Sequence, residues 1–221
     1  MFRASPGVPG LSGTNMNDSR PSPRRQEAPS LPESGVTQAL VRRLGLARLV
    51  TERPLRAAFV FACGFVTIGL LAGIAVISRA PFIFPSLGPT AFLLFFTPTL
   101  PTASPRNTLY GHAIGILCGY SSLWICGLAH APAVTVAGVD GHRALAAALS
   151  LASTGALMIL LGAPHPPAGA TTLIISLGIL TKPLHLVTIE IAVAVLTLQA
   201  IAINRLAGIK YPLWRQPPHD Y

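Results

Sequence analysis

Four stretches of this chain stay apolar for long enough to cross a bilayer, which needs about 20 such residues. They run roughly Ala57 to Ser78, Thr108 to Ala129, Ala144 to Leu161 and Leu184 to Ile203. Two shorter apolar segments lie between them, Pro81 to Pro98 and His165 to Leu180. In the first, Pro85 and Gly88-Pro89 leave only Pro89 to Thr97 as clean helix, about 13 Å at a rise of 1.5 Å per residue. In the second, Ala168 to Leu180 makes about 20 Å. The predicted fold is an all-α integral membrane protein with four full transmembrane helices and two short Pro/Gly-broken segments. It forms two pseudo-symmetric halves, each a span, a broken segment and a span.

Both interruptions carry one pattern. Pro85-Ser-Leu-Gly88-Pro-Thr90 and Pro166-Pro-Ala-Gly169-Ala-Thr171 read P-x-x-G-x-T, 81 residues apart. Apolar segments broken by Gly and Pro at corresponding places in two repeats point to the substrate site of a transporter. If the broken segments cross the bilayer, each half has an odd number of passes and the repeats are inverted; if they re-enter, the halves are parallel. The basic residues allow both arrangements. The Arg-rich amino-terminal part, with Arg205, Lys210 and Arg215, puts both termini in the cytoplasm either way.

Composition strengthens the membrane assignment. Of 221 residues 51% are hydrophobic and 10% charged, against roughly 25% charged in a soluble domain, and the mean hydropathy is +0.58. The formal charge of +9 is concentrated at one end, since nine of the fourteen arginines lie in residues 1–56. It reads as a cytoplasmic flank, and no nucleic-acid partner is expected. Cys63, Cys118 and Cys126 have neither C-x-x-C nor Cys/His ligand spacing. They are expected to pack as small residues, with no disulfide framework and no metal.

Residues 1–38, rich in Pro, Ser, Gly and Arg, cannot bury enough surface to fold and read as a disordered basic cytoplasmic tail. No apolar core of a secretory signal follows Arg3, and Asp18, Glu27 and Glu33 weigh against a transit peptide. Residues 39–56 mix Leu40, Val41 and Leu44 with Arg42, Arg43 and Arg48. They read as a basic interfacial helix on an anionic leaflet or as an elbow before the first span. The transmembrane domain covers 57–206, and 207–221 is a short cytoplasmic tail.

Gly111, Gly115 and Gly119 recur every fourth residue along the second span, and Gly69 and Gly73 do so in the first. Such ridges let helix backbones approach closely, either purely for packing or as a cradle in which a broken helix nests.

A helix that starts within the membrane presents free N–H groups and its positive dipole end to the cavity. Pro89 and Thr90 mark one such start, and Pro167 to Thr171 the other; Pro costs no hydrogen bond there, and Gly lets a ligand touch backbone. Ser86, Thr90, Thr171 and Thr172 add hydroxyls, which also serve as ordinary caps. His165 precedes the second broken helix and His112 sits beside Gly111. Each is either a hydrogen-bonded structural group or a titrating one, and a cation at His165 would reinforce the dipole toward an anion. Asn107 reads as an N-cap, and Arg106 as a lipid-phosphate anchor or an electrostatic funnel. Of seven acidic residues only Glu190 lies in an apolar run, which disfavours a proton or metal-cation path. A small anion or a neutral polar solute fits better.

The string His165-Pro166-Pro167-Ala-Gly-Ala-Thr-Thr172, with the Pro85 to Thr90 string, Ser104-Pro-Arg106-Asn107 and Gly111-His112, closely resembles the HPP family of integral membrane proteins. The resemblance covers about residues 54–206 and implies four transmembrane helices. Plastid and cyanobacterial members are linked to nitrite transport, so it also implies nitrite or a related small anion. Some members carry a C-terminal CBS pair, which is not expected here.

The expected function is transport of a small inorganic anion, with nitrite leading, through a midplane site made of Pro85, Ser86, Gly88, Thr90, Arg106, Asn107, His112, His165, Pro166, Pro167, Gly169, Thr171 and Thr172. The alternative is a non-transporting membrane scaffold or sensor subunit. No enzyme is expected, because no nucleophile lies beside a base and no phosphate loop is present, and no cofactor is expected. The expected partners are the anion, anionic lipid headgroups and a second copy of the chain. The expected location is the cell (inner) membrane, with a plastid envelope as the lesser alternative.

Overall fold

The computed structural model describes residues 53–215, so the expected tail and most of the 39–56 segment lie outside the described residues. Among these the chain is all helical: α1 (Arg53–Ser78), α2 (Leu87–Phe96), α3 (Pro105–Ile125), α4 (Val134–Ala137), α5 (Gly141–Leu160), α6 (Ala168–Ser176) and α7 (Pro183–Leu206). A single 3-10 turn, Pro101–Ala103, precedes α3.

By length and composition, α1, α5 and α7 can cross a membrane. Lipid offers no hydrogen bonds, so a long apolar segment must satisfy its backbone within itself, and a helix does so. Phe61, Phe65 and Ile77 on α1 and Ile159 and Leu160 on α5 are exposed, as suits helices whose solvent is lipid. Three helices, rather than the four expected, meet that description. The stretch expected as Thr108 to Ala129 is α3, 21 residues long but outside the apolar group. Gly111, His112, Gly115, Gly119 and Ser122 dilute its apolar content, and all five are buried. It is a central helix, packed against α5, α6 and α7.

Both broken helices differ slightly from their expected bounds. The first begins at Leu87, ahead of Pro89, and the second stops at Ser176, short of Leu180. Gly178 takes φ 81°, the left-handed conformation that glycine adopts without strain at a helix end. At 1.5 Å per residue α2 is about 15 Å long and α6 about 14 Å, each half of a hydrocarbon core of about 30 Å.

Contacts fix their directions. Arg56, near the start of α1, donates to the Phe96 carbonyl at the end of α2 (2.6 Å), whereas Gly64 and Ile68 further along α1 face Gly88 and Ala91. Thus α2 runs back along α1 from its middle toward its start. On the other side, Gly111, Gly115 and Gly119 of α3 meet His165, Ala168 and Thr172 in turn, so α6 runs parallel to α3. Arg106 at the start of α3 reaches the Leu161 and Gly162 carbonyls at the end of α5, and Arg143 at the start of α5 reaches Ser176 at the end of α6. The two short helices therefore begin together in the middle and run to opposite ends of the bundle.

Residues 209–215, expected to belong to a short tail, fold back onto the start of α3. Buried Tyr211 donates its hydroxyl to the Ala103 carbonyl (2.6 Å). The Arg106 N–H donates to the Trp214 carbonyl (2.9 Å), and the Trp214 ring meets Tyr110 edge-on.

Candidate functional site

Where α2 and α6 begin, five polar side chains from three parts of the chain meet: Ser86, Thr90, His112, His165 and Thr171. All five are completely buried. Ser86 Oγ lies 2.7 Å from Thr171 Oγ1, and Thr171 Oγ1 lies 2.7 Å from His112 Nδ1. The other nitrogen of that ring, Nε2, lies 2.9 Å from Thr90 Oγ1. Thr90 in turn donates to the Ser86 carbonyl at 2.9 Å.

One proton assignment leaves no hydroxyl idle. Because the Thr90 proton goes to a carbonyl, Thr90 Oγ1 accepts from His112 Nε2–H; a neutral imidazole then accepts at Nδ1, from Thr171. Thr171 accepts from Ser86, and the hydrogen bonds close a ring that begins and ends on Ser86. His165 stands beside it, ring centroids 5.0 Å apart from His112. Its Nδ1 lies 2.9 Å from the Thr102 carbonyl and must donate there, so its Nε2 presents a lone pair toward Thr90 Oγ1 at 3.4 Å.

The helix starts differ from expectation in one respect. The first N–H groups of α6 are not free: Ala168, Gly169 and Ala170 donate to the carbonyls of His165, Pro166 and Pro167 at 3.1, 2.9 and 3.0 Å. At α2, Leu87 N–H donates to Phe84 and Thr90 N–H to Ser86. Each short helix is entered through a tight turn whose carbonyls take several of the leading donors. The dipole remains, and the side chains that meet at these starts offer hydroxyls and imidazoles.

The other expected site residues lie around this cluster or away from it. Pro85 and Pro166 are exposed. Gly88 faces α1, and a methyl at Gly169 would come within 3.3 Å of Leu151. Pro167 is buried at the N-cap of α6. Thr172 is completely buried, and its hydroxyl has no partner among the described residues. Asn107 is not an N-cap: Ser104 holds that place, while Asn107 Nδ2 donates to the Pro101 carbonyl at 2.9 Å. Arg106 is half-buried rather than reaching out as a funnel. It donates to the Gly162 carbonyl (2.8 Å) and the Asn107 Oδ1 (3.0 Å), with its guanidinium over the Tyr110 ring.

Sequence reasoning passed over two arginines. Arg143, 3% exposed, donates to the Ser176 carbonyl (3.2 Å) and the Pro132 carbonyl (2.7 Å), as Arg56 does to Phe96. Each short helix therefore has a cation from the start of the preceding long helix at its carboxyl end, where the dipole favours it. A lone arginine near the head of an apolar run reads as a flank charge, and nothing local marks it as a cap. The glycine ridge of α3 is the cradle for α6. A methyl at Gly115 would lie 2.8 Å from the Ala168 carbonyl oxygen, and one at Gly119 would lie 2.7 Å from that of Thr172. At Gly69 and Gly73, with the same spacing, a methyl meets nothing within 4 Å.

Long apolar helices around a buried polar cluster define the class as a multi-pass helical membrane protein. The family model for the HPP transmembrane region matches residues 50–212, and the chain belongs to the HPP family. No curated protein and no solved structure matches it.

Proposed function

We propose that this protein carries a small inorganic anion, with nitrite the leading candidate, across the cell (inner) membrane through the point where α2 and α6 begin. One observation carries the proposal: the matched threonines of the repeated motif, Thr90 and Thr171, share the two nitrogens of His112. An anion entering between the short helices takes hydroxyl donors that now serve the ring, and two positive dipole ends face it from opposite sides. A buried anion needs compensation, and a proton taken up on the free lone pair of His165 Nε2 supplies a donor and a charge together. The protein acts as a carrier of the anion, not as an enzyme, and needs no cofactor.

The directions of the short helices support six crossings in two inverted halves, with both termini in the cytoplasm. Span, half-length helix and span repeat with opposite sense, as in other transporters whose sites lie between broken helices. The alternative, a non-transporting scaffold or sensor subunit, draws on the same cluster, since its side chains are buried and satisfy one another. Proteoliposomes separate the two. Nitrite-dependent flux that Thr171→Val or His165→Ala abolishes is the expected result; absence of flux for nitrite and other small anions, with folded protein, overturns transport.

A further inference from the structure

We propose that the groove between α1 and α2 is a binding site for one anionic phospholipid, whose phosphate sits on Arg53 and Arg56 while an acyl chain lies along Gly64, Ile68 and Gly88. The groove encloses about 680 Å³, inside the range of about 300–1,000 Å³ typical of small-molecule sites. Its lining is divided by position. Two guanidiniums stand at the end where α1 begins, and every other residue is apolar or glycine. Basic pockets between membrane helices hold anionic headgroups in this way.

Two glycines keep the groove open at depth, because a methyl at Gly64 or Gly88 meets nothing within 4 Å. Charge decides the occupant. Among the described residues no acidic side chain lines the groove, and those residues hold two acidic side chains, Asp140 and Glu190. A second copy of the described chain therefore brings two carboxylates, one at the start of α5 and one within α7, for a pair of guanidiniums at the start of α1. A phospholipid brings its phosphate to that depth by construction, with an apolar chain below it. Arg56 already donates to the Phe96 carbonyl and covers that ring at 5.1 Å, and Gly88 lies two residues before Thr90. The lipid thus touches α2 at both ends and stands where it can hold or release that helix.

Native mass spectrometry of the full chain, extracted from bilayers of equal phosphatidylglycerol and phosphatidylcholine, tests this without any measurement of flux. One phosphatidylglycerol retained per chain in preference to phosphatidylcholine is expected. Arg53→Gln, which leaves the Arg56 contact to α2 intact, is expected to lower that retention about fivefold, as for one basic residue at a lipid surface. Gly64→Leu puts a bulky side chain into the groove at a position where a methyl meets nothing within 4 Å and is expected to abolish retention. Equal retention of the two lipids overturns the proposal, as does undiminished phosphatidylglycerol in Gly64→Leu. So does a dimer that Gly64→Leu splits, which would make a second copy the occupant.

Discussion

Thr90 and Thr171 stand on opposite nitrogens of one imidazole, 2.9 Å and 2.7 Å from His112. They fill the same place in two copies of one motif, 81 residues apart. Each threonine bonds to the ring from its own side, and the ring ties the positions of α2 and α6 together. A change at one helix start must therefore be felt at the other.

Removing either hydroxyl opens the ring. Thr90→Val and Thr171→Val are each expected to destabilise the protein by about 0.5–2 kcal/mol, the range of hydrogen bonds between membrane helices. Because both act through His112, the double variant is expected to cost less than the sum of the two. Unfolding in mixed micelles as a double-mutant cycle measures this, and strict additivity would contradict a shared ring.

Glycines of identical spacing are expected to behave oppositely. Gly115→Ala drives a methyl to 2.8 Å from the Ala168 carbonyl oxygen, and over-packing of that kind costs about 1–3 kcal/mol. Gly73→Ala meets nothing within 4 Å and is expected to be neutral or stabilising by up to about 1 kcal/mol through helix propensity. Thermal unfolding of the two purified variants side by side checks this. A destabilised Gly73→Ala, together with loss of a dimer, would reveal a contact between copies instead.

Arg143 is expected to matter more than its flank position suggests. Arg143→Gln leaves the buried Ser176 carbonyl without its donor, at a cost of about 1–3 kcal/mol for an unsatisfied buried group, and also loses the part-buried bond to the Pro132 carbonyl. Arg143→Lys restores the charge but not the fork and is expected to recover only part of the loss. Hydrogen exchange at the end of α6 reports the effect locally. Exchange there that stays slow in Arg143→Gln would show that the arginine is dispensable.

Tyr211, which follows the last long helix, gives a prediction in pH. Burial pushes its phenol above its ordinary value, which is about 10, so the folded state holds the proton more tightly than the unfolded state. Its contribution is complete below pH about 10 and is lost as pH rises beyond that. Tyr211→Phe is expected to lose about 0.5–1.5 kcal/mol at neutral pH, with the bond to Ala103, and to show a weaker alkaline decline than the parent. Equal slopes of melting temperature against pH above 10 would remove Tyr211 as the cause.

Much of this was legible along the chain, because the signals are local. Long apolar runs gave α1, α5 and α7, and Pro85 to Pro89 and Pro166 to Gly169 marked where the short helices begin. Ser86, Thr90, His112, His165 and Thr171 were all candidates. Motif membership and membership of the hydrogen-bonded cluster do not coincide: Gly88 lines the groove against α1, and Gly169 lies against Leu151 of α5. What stayed hidden was the spending of several leading N–H groups on turn carbonyls, and the use of Arg106 and Arg143 on helix ends.

The sequence alone determined that this chain belongs in lipid and where its backbone must break, since apolar length and Pro/Gly placement act on each segment by itself. Only the tertiary structure decided that one imidazole would join both breaks, that the ridge at Gly111, Gly115 and Gly119 would be filled, and that the one at Gly69 and Gly73 would stay open. Those choices rest on which surfaces meet across separations of 22 to 85 residues. Equal spacing along a helix says nothing about what lies opposite it.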